Sequence, residues 1–340
     1  MQVGLLCSGG VDDLRHVDLG LVYDIGIRTL FIACYEDEVR WQAEDLAGFF
    51  RQARAAGLEP YAVPWGYGRL LAPDPSIDSL YLQVHPDTSQ VDSRGKRVRK
   101  ACPNDPRFLE WFSSSVRTLA WLLECRGFVW DEPGFHHHRG LWSCRCGYCK
   151  RLFAAAYGHE MPRELTDEVL LFRRQSVSMF LLAAAAAVRS VDRRLQSLVV
   201  PSPRLGKEQR YTGSEDIAVL AQCAGVDGLC ITVPWQEMGW DMEYGIREVN
   251  KGPAQIAHAH KKGCGLWLMA GPRREDRTID ALEFAARAGT DAVVLSDYDG
   301  LIAAPGFSAM RPALADAIAR VGQDAARAVV ARPRRRRSRG

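Results

Sequence analysis

The sequence predicts an α/β fold, a (β/α)8 TIM barrel, and three observations carry that expectation. Eight short, continuously apolar, β-rich runs alternate with helical segments. Continuous apolar strands joined by helices imply a parallel sheet covered on both faces. The chain has 340 residues, 47% of them hydrophobic and 25% charged, enough for a barrel of about 250 residues with insertions. No G-x-G-x-x-G or Walker loop follows any run, which removes the main reason to prefer an open nucleotide-binding sheet.

The expected strands are residues 3–7, 29–34, 60–64, 127–131, 197–200, 228–233, 265–269 and 292–296. Between them, amphipathic patterning predicts helices over 40–56, 107–125, 214–224, 252–262 and 278–288. Gly57, Gly225, Gly263 and Gly289 stand where a left-handed residue would close a helix before the next strand. The alanine-rich run 179–188 is about half the length needed to cross a bilayer and reads as a buried helix. Two units carry long polar insertions, 71–105 after the third strand and 133–165 after the fourth. Both leave C-terminal strand ends, the face on which barrel enzymes build their sites.

The barrel is expected to fill residues 1–330, followed by a disordered arginine-rich tail over 331–340 with no apolar residue to bury beyond its start. The net charge is +3 and the six arginines between Arg332 and Arg339 supply +6, so the rest of the chain stands at −3. A slightly acidic body gives no reason to expect a specific nucleic-acid partner, and the tail reads as solvated sequence. Met1 leads straight into an apolar run with no basic n-region or cleavage site, which predicts a cytoplasmic protein without a membrane partner.

Ten cysteines in a reducing compartment read as metal ligands and small buried hydrophobes. Cys144, Cys146 and Cys149 form a C-x-C-x2-C cluster and Cys102 stands alone in the earlier insertion. Three ligands from one turn and a fourth from a remote loop suit a tetrahedral thiolate zinc site of structural type. Four reduced thiols without metal, or an iron–sulfur cluster, are the other readings; ferredoxin spacings are generally wider. Cys7, Cys34, Cys125, Cys223, Cys230 and Cys264 fall in or beside predicted elements and read as core.

Between the lone cysteine and the cluster lie Asp131 and Glu132, at the end of the fourth predicted strand. Catalytic groups of barrels sit at such ends. Asp297 and Asp299 after the eighth strand, Glu36 and Asp37 after the second, and Glu237, Asp241 and Glu243 after the sixth share that face. So do Tyr35, Trp65, Tyr67, Trp235, Trp240 and Tyr298, rings that suit stacking on the apolar faces of sugars or packing in the core. His136, His137 and His138 lack a carboxylate spaced for a metal motif and suit hydrogen bonds to hydroxyls.

Cys-Pro-Asn-Asp-Pro at 102–106, Val-Trp-Asp-Glu-Pro at 129–133 and Cys-Arg-Cys-Gly-Tyr-Cys at 144–149 together resemble the catalytic region of the glycoside hydrolase barrels related to the family-forty-two β-galactosidases. The resemblance covers about fifty residues. It implies Cys102, Cys144, Cys146 and Cys149 as ligands of a structural zinc, Glu132 as general acid/base, and Asp131 in place of the family's asparagine. It departs at the seventh strand, where the family's nucleophilic glutamate is replaced by Ala270 or Gly271. The second carboxylate that glycoside hydrolysis needs must then come from elsewhere, with Asp297 the first choice. Alternatively Asp131 and Glu132 act as the adjacent pair of a substrate-assisted hydrolase, which requires the strand to end there.

The expectation is a glycosidase acting on a carbohydrate, with Glu132, Asp131 and Asp297 catalytic and Tyr35, Glu36, Trp65, His136, Trp235 and Tyr298 at the substrate. A homo-oligomer is compatible with this reading. A metal-dependent sugar isomerase, epimerase or lyase, and a catalytically silent sugar-binding barrel, are the rival classes.

Overall fold

The computed structural model of the protein describes residues 1–71, 78–138, 140–202, 211–233, 235, 239–269, 275–303 and 305–331. In chain order the strands are β1 (Gln2–Cys7), β2 (Thr29–Tyr35), β3 (Glu59–Trp65), β4 (Ser89–Val91), β5 (Arg97–Ala101), β6 (Gly127–Asp131), β7 (His137–His138), β8 (Leu141–Trp142), β9 (Gln196–Val200), β10 (Gly228–Thr232), β11 (Gly263–Met269) and β12 (Ala292–Ser296). Eight of them close a parallel barrel in the order β1-β12-β11-β10-β9-β6-β3-β2. Each expected strand falls within two residues of an observed one. The hairpins β4–β5 and β7–β8 belong to the two insertions.

Alternation along the strands divides two cores. Leu6, Phe31, Tyr61, Val63, Val129, Val200, Cys230, Trp267 and Val294 fill the barrel interior. Leu5, Ile32, Ala62, Phe128 and Trp130 point outward to the helices. Tyr35, Trp65 and Asp131 continue the inward series of β2, β3 and β6 and so cap the interior at the C-terminal end.

The helices depart from expectation at three places. The segment expected over 252–262 begins ten residues earlier, as Met242–Val249, and runs through a π-turn, Asn250–Ala254, into Gln255–Ala259. Gly252 and Pro253 look like a helix start because proline lacks an N–H. Here the widened turn absorbs the proline instead, and Asp241 caps the true start by accepting from the Tyr244 N–H at 3.1 Å. The expected 40–56 helix is two, Glu36–Trp41 and Ala43–Ala55, broken at Gln42. Residues 179–188 lie inside a 23-residue helix, Asp167–Arg189, which packs on Pro106–Leu122. Among the described residues it is the helix long and apolar enough to cross a membrane, and 50% of its most apolar window is buried in the fold. Met179 and Leu182 lie exposed on its outer face.

Gly57 and Gly289 take the left-handed conformation expected of them. Gly225 serves another purpose: a Cβ there would stand 2.9 Å from the Leu182 Cα, so the residue lets two backbones approach. The arginine-rich tail, Arg332–Arg339, and the seventh-strand positions Ala270 and Gly271 lie outside the described residues, as does Glu237.

Candidate functional site

The C-terminal ends of β12, β1, β2, β3 and β6, neighbours in the barrel, carry a linked arc of polar and aromatic groups. Asp297 accepts from the Ser8 hydroxyl at 2.6 Å through Oδ2 and from the Gly300 N–H at 2.8 Å through Oδ1. The Ser8 carbonyl accepts from the Tyr35 hydroxyl at 2.6 Å. Tyr35 and Trp65 are register partners, and their rings meet edge to face with centroids 6.2 Å apart. The Trp65 indole N–H then donates to Asp131 Oδ2 at 2.8 Å.

Regular pleating would turn Glu132 away from Asp131. The strand ends at Asp131, however, and Glu132 takes φ +46 while its N–H still donates to the Val200 carbonyl at 2.8 Å. A left-handed non-glycine residue costs about 1–3 kcal/mol and is characteristic of functional sites. The result is a buried carboxylate, Asp131, beside a half-buried one, Glu132. Burial pushes Asp131 up to about 6, against the Trp65 hydrogen bond. Burial, and then the Asp131 charge, push Glu132 up to about 8, against the pull of Lys100. The pair therefore titrates as a unit and retains a proton to higher pH than two free carboxyls would.

Lys100 is a residue that sequence reasoning missed. It sits on β5 in a basic stretch with Lys96, Arg97 and Arg99, yet it is 8% exposed. Burial brings its ammonium down to about 8, with Glu132 opposing the shift. Gln90 was also missed. Fully buried on β4, it donates to the Ala101 carbonyl at 2.9 Å and accepts from the His136 N–H at 2.8 Å. It thereby staples the first insertion to the second and holds His136 near the mouth. Burial, then Lys100, bring His136 below its usual range.

Other predicted residues are engaged elsewhere. Glu36 is buried, and its carboxylate accepts from the Gly68 N–H (2.7 Å), the Ser79 hydroxyl (2.7 Å) and the Tyr81 N–H (2.9 Å). It anchors the first insertion onto the end of β2. Tyr298 is buried, and its hydroxyl accepts from the Asp18 N–H at 3.0 Å and donates to the His16 carbonyl at 3.4 Å. Trp235 is 3% exposed, with no hydrogen-bond partner for its indole N–H among the described residues. Asp241 is a helix cap, Glu243 pairs with Arg247 at 3.0 Å, and Trp240 meets Tyr244 edge to face. A cavity of about 440 Å³ beside Glu36, Tyr67 and Trp111, and one of about 350 Å³ beside Ser202, Thr232 and Trp240, include neither Asp131 nor Glu132 in their linings.

The four cysteines of the two insertions meet as expected from their spacing. All four Sγ atoms lie within 4.8 Å of one another, with Cys102 3.4 Å from Cys149 and 3.6 Å from Cys146. Arms of about 2.3 Å to a tetrahedral ion would put sulfurs about 3.8 Å apart, so the cluster is sized for one. Donors typical of thiolate acceptors surround it: the Val91 N–H on Cys144 (3.5 Å), the Cys149 N–H on Cys146 (3.5 Å) and the Asn104 amide on Cys149 (3.4 Å). Cys146 caps the helix Gly147–Tyr157, where the positive helix end favours a thiolate. Within the coupled cluster the neighbouring thiols, above all Cys102, pull Cys146 down, while burial pushes Cys102 up. All ten cysteines are free of disulfides. This is a cluster able to hold a metal ion.

No protein-family model matches the sequence, and no curated protein matches it either. Solved structures do match in shape. A β-galactosidase from the Antarctic haloarchaeon Halorubrum lacusprofundi superposes with a TM-score of 0.68 at 12% identity, over 95% of this chain and 58% of that one. The cold-adapted β-galactosidase of Rahnella sp. R3 gives 0.70 at 12% identity, over 96% and 57%. The catalytic domain of a β-amylase from Paenibacillus polymyxa gives 0.59 at 12% identity, over 88% and 93%. The chain thus spans a little under three-fifths of the two β-galactosidases. At this identity the likeness is one of fold, a (β/α)8 barrel.

Proposed function

We propose that the protein is a glycoside hydrolase whose proton donor is Glu132, with Asp131 beside it and a structural zinc held by Cys102, Cys144, Cys146 and Cys149. The observation that carries the reading is the carboxylate pair at the end of β6, where burial pushes both carboxyls up and the left-handed turn at Glu132 sets it beside Asp131 as the proton donor. Trp65, bonded to Asp131, and Tyr35 against it supply aromatic surface beside the pair. The shape likeness to β-galactosidases and a β-amylase supports a carbohydrate as substrate.

The turn at Glu132 favours a particular division of labour. Adjacent Asp and Glu side chains share one setting because Glu132 is left-handed, which suits the substrate-assisted mode: Asp131 orients a 2-acetamido group on the sugar while Glu132 protonates the leaving oxygen. Asp297 remains the rival second carboxylate, with both its oxygens engaged, to Ser8 and to the N-terminus of the helix Tyr298–Leu301. The zinc would tie the rim insertions together and take no part in the reaction.

The test is Glu132→Gln against a panel of aryl glycosides that includes 2-acetamido sugars. Turnover of substrates with poor leaving groups falls about 10²–10⁴-fold, while a good leaving group recovers part of the loss. Near-normal turnover of a poor substrate by this variant would exclude Glu132 as the acid.

A further inference from the structure

The helix Asp167–Arg189 passes behind the cysteine cluster and contributes two residues one turn apart, Arg173 and Ser176. Ser176 reaches the cluster through Asn104, whose amide donates to the Ser176 hydroxyl at 2.9 Å and to Cys149 Sγ at 3.4 Å. Arg173 is the unusual one. It is 1% exposed, and its Nε and Nη1 have no hydrogen-bond partner among the described residues. Nη2 donates to the His136 carbonyl at 3.4 Å, and the guanidinium lies over the rings of Phe135 (5.2 Å) and Trp142 (5.9 Å). Among the described residues no carboxylate stands within ion-pair distance of it; Glu215 accepts from Arg174 and from the Gly213 N–H. The groups whose negative charge reaches Arg173 are Glu215, Cys144 and Cys149.

An arginine cannot shed its charge to escape this position. A buried guanidinium with two unmet donors is costly unless negative charge is nearby. Four thiolates around a divalent ion carry a formal charge of −2, the Gly147–Tyr157 helix terminus offsets only part of it, and Arg173 is a buried cation that feels the charge of Cys144 and Cys149. We infer that Arg173 is the counter-charge of a four-thiolate metal centre, a positioning residue without which the centre holds its ion more weakly. This rests on the metal reading above and adds to it a residue outside the ligand set, 24 positions beyond the last cysteine.

The charge argument fixes a sign that packing alone would not give. With metal bound, Arg173 stabilises the centre. With the metal removed and the thiols protonated, it is a buried cation left with the charge of Glu215. Arg173→Met, similar in length and apolar, should raise the zinc dissociation constant about 10- to 100-fold and leave the metal-free protein as stable as the parent or more so. Arg173→Lys keeps the charge and should lose less affinity than the methionine variant.

The experiment uses the full chain, titrating zinc against a chromogenic chelator and following unfolding by urea with and without metal. Cobalt substitution reads the ligand set: its thiolate-to-metal absorption should match between the parent and Arg173→Met. An unchanged zinc affinity in Arg173→Met, or equal destabilisation of the metal-bound and metal-free forms, overturns the inference. A parent protein that shows no four-thiolate cobalt spectrum overturns the metal reading itself, and is told apart because it needs no variant.

Discussion

Replacing Glu132 by glutamine should stabilise the folded protein at alkaline pH and change little at pH 5. Glu132 titrates near 4.5 when unfolded and is pushed up to about 8 in the fold, by burial first and by Asp131 second. For a group whose folded value is raised, the stabilising contribution is complete below the unfolded value and is lost as pH rises through the folded one. The window is therefore pH 4.5 to 8. At about 1.36 kcal/mol per unit, the cost of ionising Glu132 in place is on the order of a few kcal/mol by pH 9. Glutamine has the shape of the protonated acid and never ionises, so the variant escapes this cost. The assay is urea unfolding of parent and variant at pH 5, 7 and 9, with tryptophan fluorescence and circular dichroism required to coincide. The difference between the two proteins cancels the groups that do not interact with Glu132, and reads Glu132 together with Asp131 and Lys100, which do. Equal differences at pH 5 and pH 9, or a variant less stable at pH 9, would refute the buried-acid account of Glu132, whatever the enzyme does to sugars.

Protein purified without chelator should carry about one zinc per chain, and Cys102→Ser should reduce it sharply because it removes the ligand that joins the insertions; metal analysis alongside thiol titration decides it. Trp65→Phe removes the indole donor that lowers Asp131. The Asp131 carboxyl should rise further, by about 1–2 units if the bond is worth about 1.5–3 kcal/mol, seen as an upward move of the acid limb of the pH–rate profile; an unmoved limb would remove Asp131 from the reaction. Asp297→Asn can still cap its helix, so folding should change by less than about 1 kcal/mol. Its turnover, set beside that of Asp131→Asn on 2-acetamido and 2-hydroxy sugars, reads which of the two is the second carboxylate.

The barrel was legible because its strands are buried on both faces and leave unbroken apolar runs, which survive any detail of the loops. The cysteine cluster was legible because three of its members sit in one short turn. Lys100 and Gln90 were not, because what defines them is a partner distant in sequence, Glu132 past the end of β6 for Lys100 and His136 of the second insertion for Gln90; a buried glutamine on a three-residue strand has no local signature. Glu36 shows the converse error. A carboxylate after a barrel strand reads as a site residue, whereas this one is consumed by three donors from the loop it anchors. The helix start at Met242 was hidden by Gly252 and Pro253, whose local preference yields to the π-turn.

The stapling of the two insertions bears on how such a protein can be changed. Val91 meets both the Cys144 sulfur and the Arg145 amide, Asp92 bridges to Ser143, and Gln90 spans both segments. Neither insertion is a separable cassette. A chimera that imported residues 78–105 alone would bring one sulfur and leave three behind, together with a lysine placed for a glutamate it no longer meets. Recombination that alters specificity here has to exchange the two segments as a pair, and substitutions in one should tolerate or reject change according to what the other carries. In a directed-evolution library these segments should therefore show coupled rather than independent acceptance of mutations, even though some forty residues of chain separate Cys102 from Cys144.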